Sequence, residues 1–175
     1  MANTTGSAAQ GPRPAVHRLN HAVLFITDLD RAVGFYTEVL GMQLAHKMGE
    51  RAAFLTADGS GNDHDLGLFV MDGAEPRNPR AVGLYHLAWQ VDTIDELAAL
   101  RQDLERLGSL VGSSDHGRSR SLYALDPDGN EFEVMWAAPQ STWPDTTPGV
   151  APLDLDGDVA RFAGVGTLHE MVSAG

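Results

Sequence analysis

The sequence predicts an α+β protein in which two paired β-α-β-β-β modules form a cupped mixed β-sheet with helices outside. Three observations carry this expectation. Leu19-Asn20-His21-Ala22-Val23-Leu24-Phe25-Ile26 and Leu84-Tyr85-His86-Leu87-Ala88-Trp89-Gln90-Val91 both read as strands with a histidine third, 65 positions apart (86 − 21). Each is followed by a helical pattern and then by short strands, so two copies of one unit is the economical account. Asp126-Pro127-Asp128-Gly129-Asn130 is turn chemistry, with proline fixing one φ and glycine and asparagine tolerating φ > 0, set directly before the strand Glu131 to Trp136.

Residues 1–16 are small and polar without periodicity and read as a mobile arm. In the first module, 17–72, Asp28 or Asp30 can cap a helix whose apolar positions are Ala32, Phe35, Tyr36, Val39 and Leu40. Gly41 then ends it as a left-handed residue. Strands are expected near 42–48, 51–57 and 65–71, with a loop over 58–63. The segment 73–83 reads as a linker. In the second module, 84–137, Thr93 and Glu96 make a capping-box pattern. Leu97, Leu100, Leu104 and Leu107 form the buried stripe, and Gly108 closes the helix. Strands near 109–113 and 119–125 lead to the turn. The remainder, 138–175, is a proline-containing tail in which Pro152 to Ala163 can make a turn of helix against the body or a second subunit.

With 175 residues and 43% hydrophobic content, the chain can bury a core as one compact unit. A net charge of −12 argues against nucleic acid or an anionic membrane as a partner. The absence of cysteine excludes disulfides, cysteine metal sites and a cysteine nucleophile. No apolar run has the length of a membrane span and no basic start precedes an apolar core, so a cytoplasmic protein is expected.

Strand period 2 sorts the candidate site. His21 shares a face with Val23 and Phe25, and His86 with Ala88 and Gln90, while Ala22, Leu24 and Ile26, or Leu87, Trp89 and Val91, face the helices. In the last strand Phe132, Val134 and Trp136 are core, so Glu131, Glu133 and Met135 point the other way. His21, His86 and Glu133 therefore project from the side away from the helices. Two imidazoles and a carboxylate in one concavity make a facial triad with open positions, which suits Fe(II), and Mn(II) or another divalent ion as well.

These residues resemble the vicinal oxygen chelate superfamily, which holds glyoxalases, extradiol dioxygenases, fosfomycin-modifying enzymes and bleomycin-binding proteins. The likeness spans roughly residues 17 to 137 and is most specific at His21, His86 and the Asp-Pro-Asp-Gly-Asn-x-Phe-Glu run ending at Glu133. Within the superfamily the chain is most similar to the extradiol, catechol 2,3-dioxygenase-like members. That resemblance implies three roles: His64 as acid–base near the metal, Tyr123 as a hydrogen-bond donor to substrate, and His116 as a substrate-binding residue in a looser register. It also implies an aromatic diol and O2 as substrates, and a homodimer. Glyoxalase-type members use a fourth ligand in the first module. The 65-residue offset places Leu68 opposite Glu133 and puts His64 on Leu68's face, so three protein ligands are expected. Two other functions stay open: a non-catalytic protein sequestering an aromatic natural product, and a metal-dependent transferase, lyase or isomerase.

Overall fold

The computed structural model describes residues 15–169 except positions 76, 79, 147 and 148. Nearly all of the expected arm, and the end of the tail, lie outside the described residues.

The first half runs β1 (Ala22–Ile26), α1 (Leu29–Glu38), β2 (Gln43–Met48), β3 (Ala52–Thr56) and β4 (Leu66–Val70). The second runs β5 (Leu87–Val91), α2 (Ile94–Arg106), β6 (Leu110–Asp115), β7 (Ser119–Leu125) and β8 (Glu131–Ala137). A short 3₁₀ turn and α3 (Leu155–Phe162) follow. Each half forms its own four-stranded mixed sheet, in the orders β1-β4-β3-β2 and β5-β8-β7-β6. The first and last strands of each unit are parallel neighbours and the other pairs are antiparallel. The α+β architecture and the doubled β-α-β-β-β unit are thus as the repeat predicts.

Local chemistry sets the helix ends. Asp28 is the residue that caps α1, its carboxylate accepting from the Arg31 N–H at 2.9 Å. In α2 Thr93 and Glu96 form a reciprocal capping box, which satisfies two of the amide donors that a helix start leaves orphaned. Gly108, at φ 67°, follows in the left-handed region that only glycine enters without strain.

Each sheet buries one face. Leu24, Ile26, Leu55, Leu66 and Leu68 lie under α1, and Leu122, Phe132, Val134 and Trp136 lie under α2 and α3. A fully buried leucine or phenylalanine stabilises by about 1.5–3 kcal/mol, so these rows decide which side of each sheet turns inward. The tail joins the second core. Leu155 and Phe162 are buried in it, and the Phe162 ring lies 5.5 Å from that of Trp136. Arg120 clamps α3 by pairing with Asp158 as well as with Asp115. Among the described residues no helix is long and apolar enough to cross a membrane.

The halves meet through their helix-covered sides. The Tyr36 hydroxyl donates to Asp126 at 3.0 Å, Phe35 packs edge-on to Phe132 at 5.8 Å, and Arg31 pairs with Asp128 at 3.0 Å. Leu87 and Trp89 pack against the first core.

Candidate metal centre

Asp126 builds the approach to the site. Its Oδ1 accepts the N–H groups of Asp128 and Asn130 at 2.9 and 2.8 Å, and its Oδ2 accepts the Asn130 amide at 2.9 Å. Gly129 sits at φ 81°, a conformation that a side chain would strain. This turn delivers β8 with Phe132, Val134 and Trp136 inward and Glu131, Glu133 and Met135 on the opposite face.

Register then assembles the second half of the site. Glu133 lies opposite Ala88 of β5 and opposite Tyr123 of β7, and Tyr123 lies opposite Gly112 of β6. His86 precedes β5 on the same side, and its Nε2 stands 3.0 Å from Glu133 Oε2. These side chains are only 24% and 13% exposed. The His86 and Tyr123 rings are 5.6 Å apart, and the Tyr123 hydroxyl lies 2.8 Å from His116 Nε2. His116 is carried at the tip of the β6–β7 hairpin, where its N–H donates to Ser119 O at 2.9 Å and Asp115 ties to Gly117 and Arg120. Burial first, and then the Glu133 charge, push the Tyr123 phenol above its ordinary pKa, so it keeps its proton.

The first half holds the other two candidate histidines, His21 and His64. His21 Nδ1 is 2.8 Å from Asn20 Oδ1, and its ring lies 4.5 Å from that of His64. His64 Nδ1 stands 3.0 Å from Asp63 Oδ2, and its ring meets Phe54 edge-on at 5.0 Å. The hydrogen bond from His64 holds the Asp63 carboxyl below its usual pKa. Beneath this loop, Asp65 accepts from the Ala57 N–H at 2.8 Å and the Asn62 amide at 2.7 Å. Burial alone would raise the Asp65 pKa; these bonds outweigh it and hold the carboxyl low.

The sequence-predicted residues therefore fall into two groups, His86, Glu133, Tyr123 and His116 in one and His21 with His64 in the other. Among the described residues no three His, Asp or Glu side chains gather closely enough to hold a metal ion. Of two clefts, of about 210 and 490 Å³, the first is lined by His21 and neither by His86 or Glu133.

One expectation needs correcting. Val23 pairs with Gly67, whereas its repeat equivalent Ala88 pairs with Glu133, so the counterpart of Glu133 is Gly67 and Leu68 is a fully buried core residue. The spacing from first to last strand is 44 in one half (67 − 23) and 45 in the other (133 − 88), and a slip of one residue exchanges the faces of a strand. Gly67 carries no side-chain donor at that position. His64 reaches the open face from its loop rather than by sharing a face with Leu68. Sequence reasoning passed over Tyr85, whose ring is 4.7 Å from that of His86, and Phe54 beside His64. Adjacency to a predicted ligand was the one available signal for Tyr85.

His86 and Glu133 fit a divalent ion. Imidazole nitrogen and carboxylate oxygen are the right donors, and adjacent octahedral ligands, each about 2.1 Å from the metal, stand about 3.0 Å apart. The observed separation is 3.0 Å, which is also the distance of a direct imidazole–carboxylate hydrogen bond.

Comparison with known proteins agrees with this architecture. Catechol-2,3-dioxygenase of Bacillus subtilis (strain 168) is 36% identical over 133 residues, which is 71% of this chain but only 43% of that enzyme. Glutathione transferase FosA of Serratia marcescens is 30% identical over 116 residues, covering 66% of this chain and 78% of FosA. In fold alone, a glyoxalase/dioxygenase from Nostoc punctiforme superposes with a TM-score of 0.62 at 18% identity, over 76% of this chain and all of that one (100%). The family model of the glyoxalase/bleomycin resistance protein/dioxygenase superfamily matches residues 18–134, and the chain belongs to that superfamily.

Proposed function

We propose that the protein is an extradiol dioxygenase-type oxidoreductase, a homodimer that binds Fe(II) through His21, His86 and Glu133 and opens a catecholic ring with O2. The observation that carries the proposal is the His86–Glu133 pair at 3.0 Å beside the Tyr123–His116 hydrogen bond at 2.8 Å. An ion held by these residues would lower the pKa of a bound catechol's hydroxyls and would supply the redox chemistry.

The chain's own residues handle binding and protons. The Tyr123 phenol, kept protonated by burial and by Glu133, donates to a substrate oxygen, and His116 Nε2 orients it from 2.8 Å. With Nδ1 of His64 turned to Asp63, Nε2 is free to take the second hydroxyl proton and later return it, which a neutral imidazole does near pH 7. Phe25, Gln90 and Met135, from the open faces of both halves, shape the wall that selects the diol. The overall reaction adds both oxygen atoms of O2 to the diol while the ring carbon–carbon bond breaks.

A second reading, a metal-dependent transferase, draws on the better length match to FosA. Against it, Ala137-Ala138-Pro139-Gln140 after β8 offers no basic residue for a phosphonate.

The test mixes anaerobically iron-loaded protein with a panel of catechols, bulky biaryl diols included, and follows oxygen uptake and the yellow ring-opened products. Turnover is expected with at least one diol, with a loss of about 10²- to 10⁴-fold in His64→Ala. Tight binding of an aromatic ligand without oxygen uptake makes this a sequestering protein. Thiol transfer to fosfomycin without oxygen uptake makes it a transferase.

A further inference from the structure

The tail beyond β8 is bound to the turn that carries His116. That turn, 115–120, lies at the end of β6, the edge strand of the second sheet, which leaves its outer backbone groups to find partners outside the sheet. The tail supplies them. Asp115 and Ala151 exchange both backbone hydrogen bonds at 2.9 Å, and the Ala138 N–H donates to Arg118 O at 2.9 Å. The Arg118 guanidinium lies 5.1 Å from the centre of the Trp143 ring. From α3, Asp158 takes Arg120 through both oxygens, at 2.5 Å from Nε and 3.2 Å from Nη2. Period 2 puts Arg120 with Leu122 on the helix-covered face of β7, opposite to Tyr123. Nη1 nevertheless turns back to the hairpin, donating to Asp115 Oδ1 at 2.8 Å and to Gly117 O at 3.3 Å, and the same Oδ1 accepts the Gly117 N–H at 2.6 Å.

We infer that Arg120 and Asp158 are positioning residues: the tail helix holds the hairpin in the setting where His116 Nε2 meets the Tyr123 hydroxyl, a role whose effect on catalysis rests on the dioxygenase reading above. An ion pair that merely fastens α3 is the plainer alternative, and two features speak against it. First, α3 is already anchored in the core by Leu155 and Phe162. Arg120 and Asp158 are only 11% and 12% exposed, and as a mere fastener a buried charge pair gains little over apolar contacts of the same size. Second, the planar fork of Arg120 binds two carboxylates at once, which fixes an angle between α3 and the turn. With Asp115 and Gly117 held on either side, His116 has little freedom to swing away from Tyr123, 2.8 Å distant. Ala151 and Asp158 both lie beyond residue 134, where the family model's match ends.

Nitrogen NMR of the full chain with isotope-labelled histidine reads the His116–Tyr123 contact, because the state of each imidazole nitrogen follows the hydrogen bonds the ring makes. Tyr123→Phe marks where the His116 signal lies without the hydroxyl. Asp158→Ala should move the signal towards that position, whereas Asp156→Ala, at an exposed site on the same helix, should leave it in place. Asp158→Asn keeps the side chain's volume but loses the charge and one of two acceptors; it carries the same expectation should Asp158→Ala fail to fold. A signal that stays at its wild-type position in a folded Asp158 variant overturns the inference. In turnover of the active diol, Asp158→Ala should lower kcat/KM by about 2- to 10-fold, the worth of one neutral hydrogen bond. Combined with His116→Ala it should cost nothing further, since it acts through that residue. Losses that multiply in the double variant overturn the positioning role. A wild-type chain that turns over no diol defeats the dioxygenase reading, while the His116 signal still decides whether the tail holds that residue on Tyr123.

Discussion

The Tyr36 hydroxyl donates to Asp126 Oδ2 at 3.0 Å across 90 positions of sequence, tying the first helix to the turn that launches β8. Tyr36 is 1% exposed and Asp126 5%, and hydrogen bonds to a charged group contribute about 1.5–3 kcal/mol. Tyr36→Phe should lower the unfolding free energy by about that amount in urea titration. A change under a few tenths of a kcal/mol would mean that the backbone donors to Asp126 suffice on their own.

The same pair sets a pH limit. Burial, and then the neighbouring Asp126 charge, raise the Tyr36 pKa well above 10.0. Below pH 10 the folded and unfolded states both hold the proton, so this contribution is intact. Above it the unfolded state loses the proton first, the unfolded chain binds fewer protons, and stability falls as pH rises. Urea midpoints between pH 8 and 11 should decline from near pH 10, and Tyr36→Phe should flatten that decline.

At the site, Tyr123→Phe removes a single donor. It should reduce kcat/KM for the active diol by about 10- to 100-fold, as expected for one hydrogen bond to a charged oxygen. His116→Ala should lose less, because it acts on the substrate through Tyr123. Equal losses in both variants would place His116 itself on the substrate.

The register of β4 can be checked by contrast. Leu68 is fully buried, so Leu68→Ala should cost about 2–5 kcal/mol. Gly67 faces the open side, where an added Cβ would come within 3.3 Å of both Val23 and Phe69. Gly67→Ala should keep stability within about 1 kcal/mol yet weaken binding of aromatic ligands, as measured by fluorescence titration. If Gly67→Ala proves the more destabilising of the two, the register is wrong.

Much of the fold was legible because its signals are local. The paired His-third strands, the Thr93–Glu96 box, Gly108 and the Asp126 turn each act within a few residues, and the alternation of Phe132, Glu133, Val134 and Met135 assigns the faces of β8 directly. What escaped depends on distances between elements. A fixed 65-residue offset puts Leu68 opposite Glu133 because the two halves differ by one residue between first and last strand, and periodicity within β4 is silent about its register on β1. His21 could be placed on an open face, but whether that face meets the one bearing His86 depends on how α1 seats against β8. That seating is made by Tyr36, Phe35, Asp126 and Phe132, whose alternation marks them only as core or turn.

Metal binding by wild-type, His86→Ala and Glu133→Ala protein tests the central claim most directly. After loading with iron(II) or manganese(II) and removal of excess, elemental analysis should find one ion per wild-type chain and almost none in either variant, with circular dichroism showing each variant folded. Full occupancy surviving Glu133→Ala would contradict the site built around the His86–Glu133 pair.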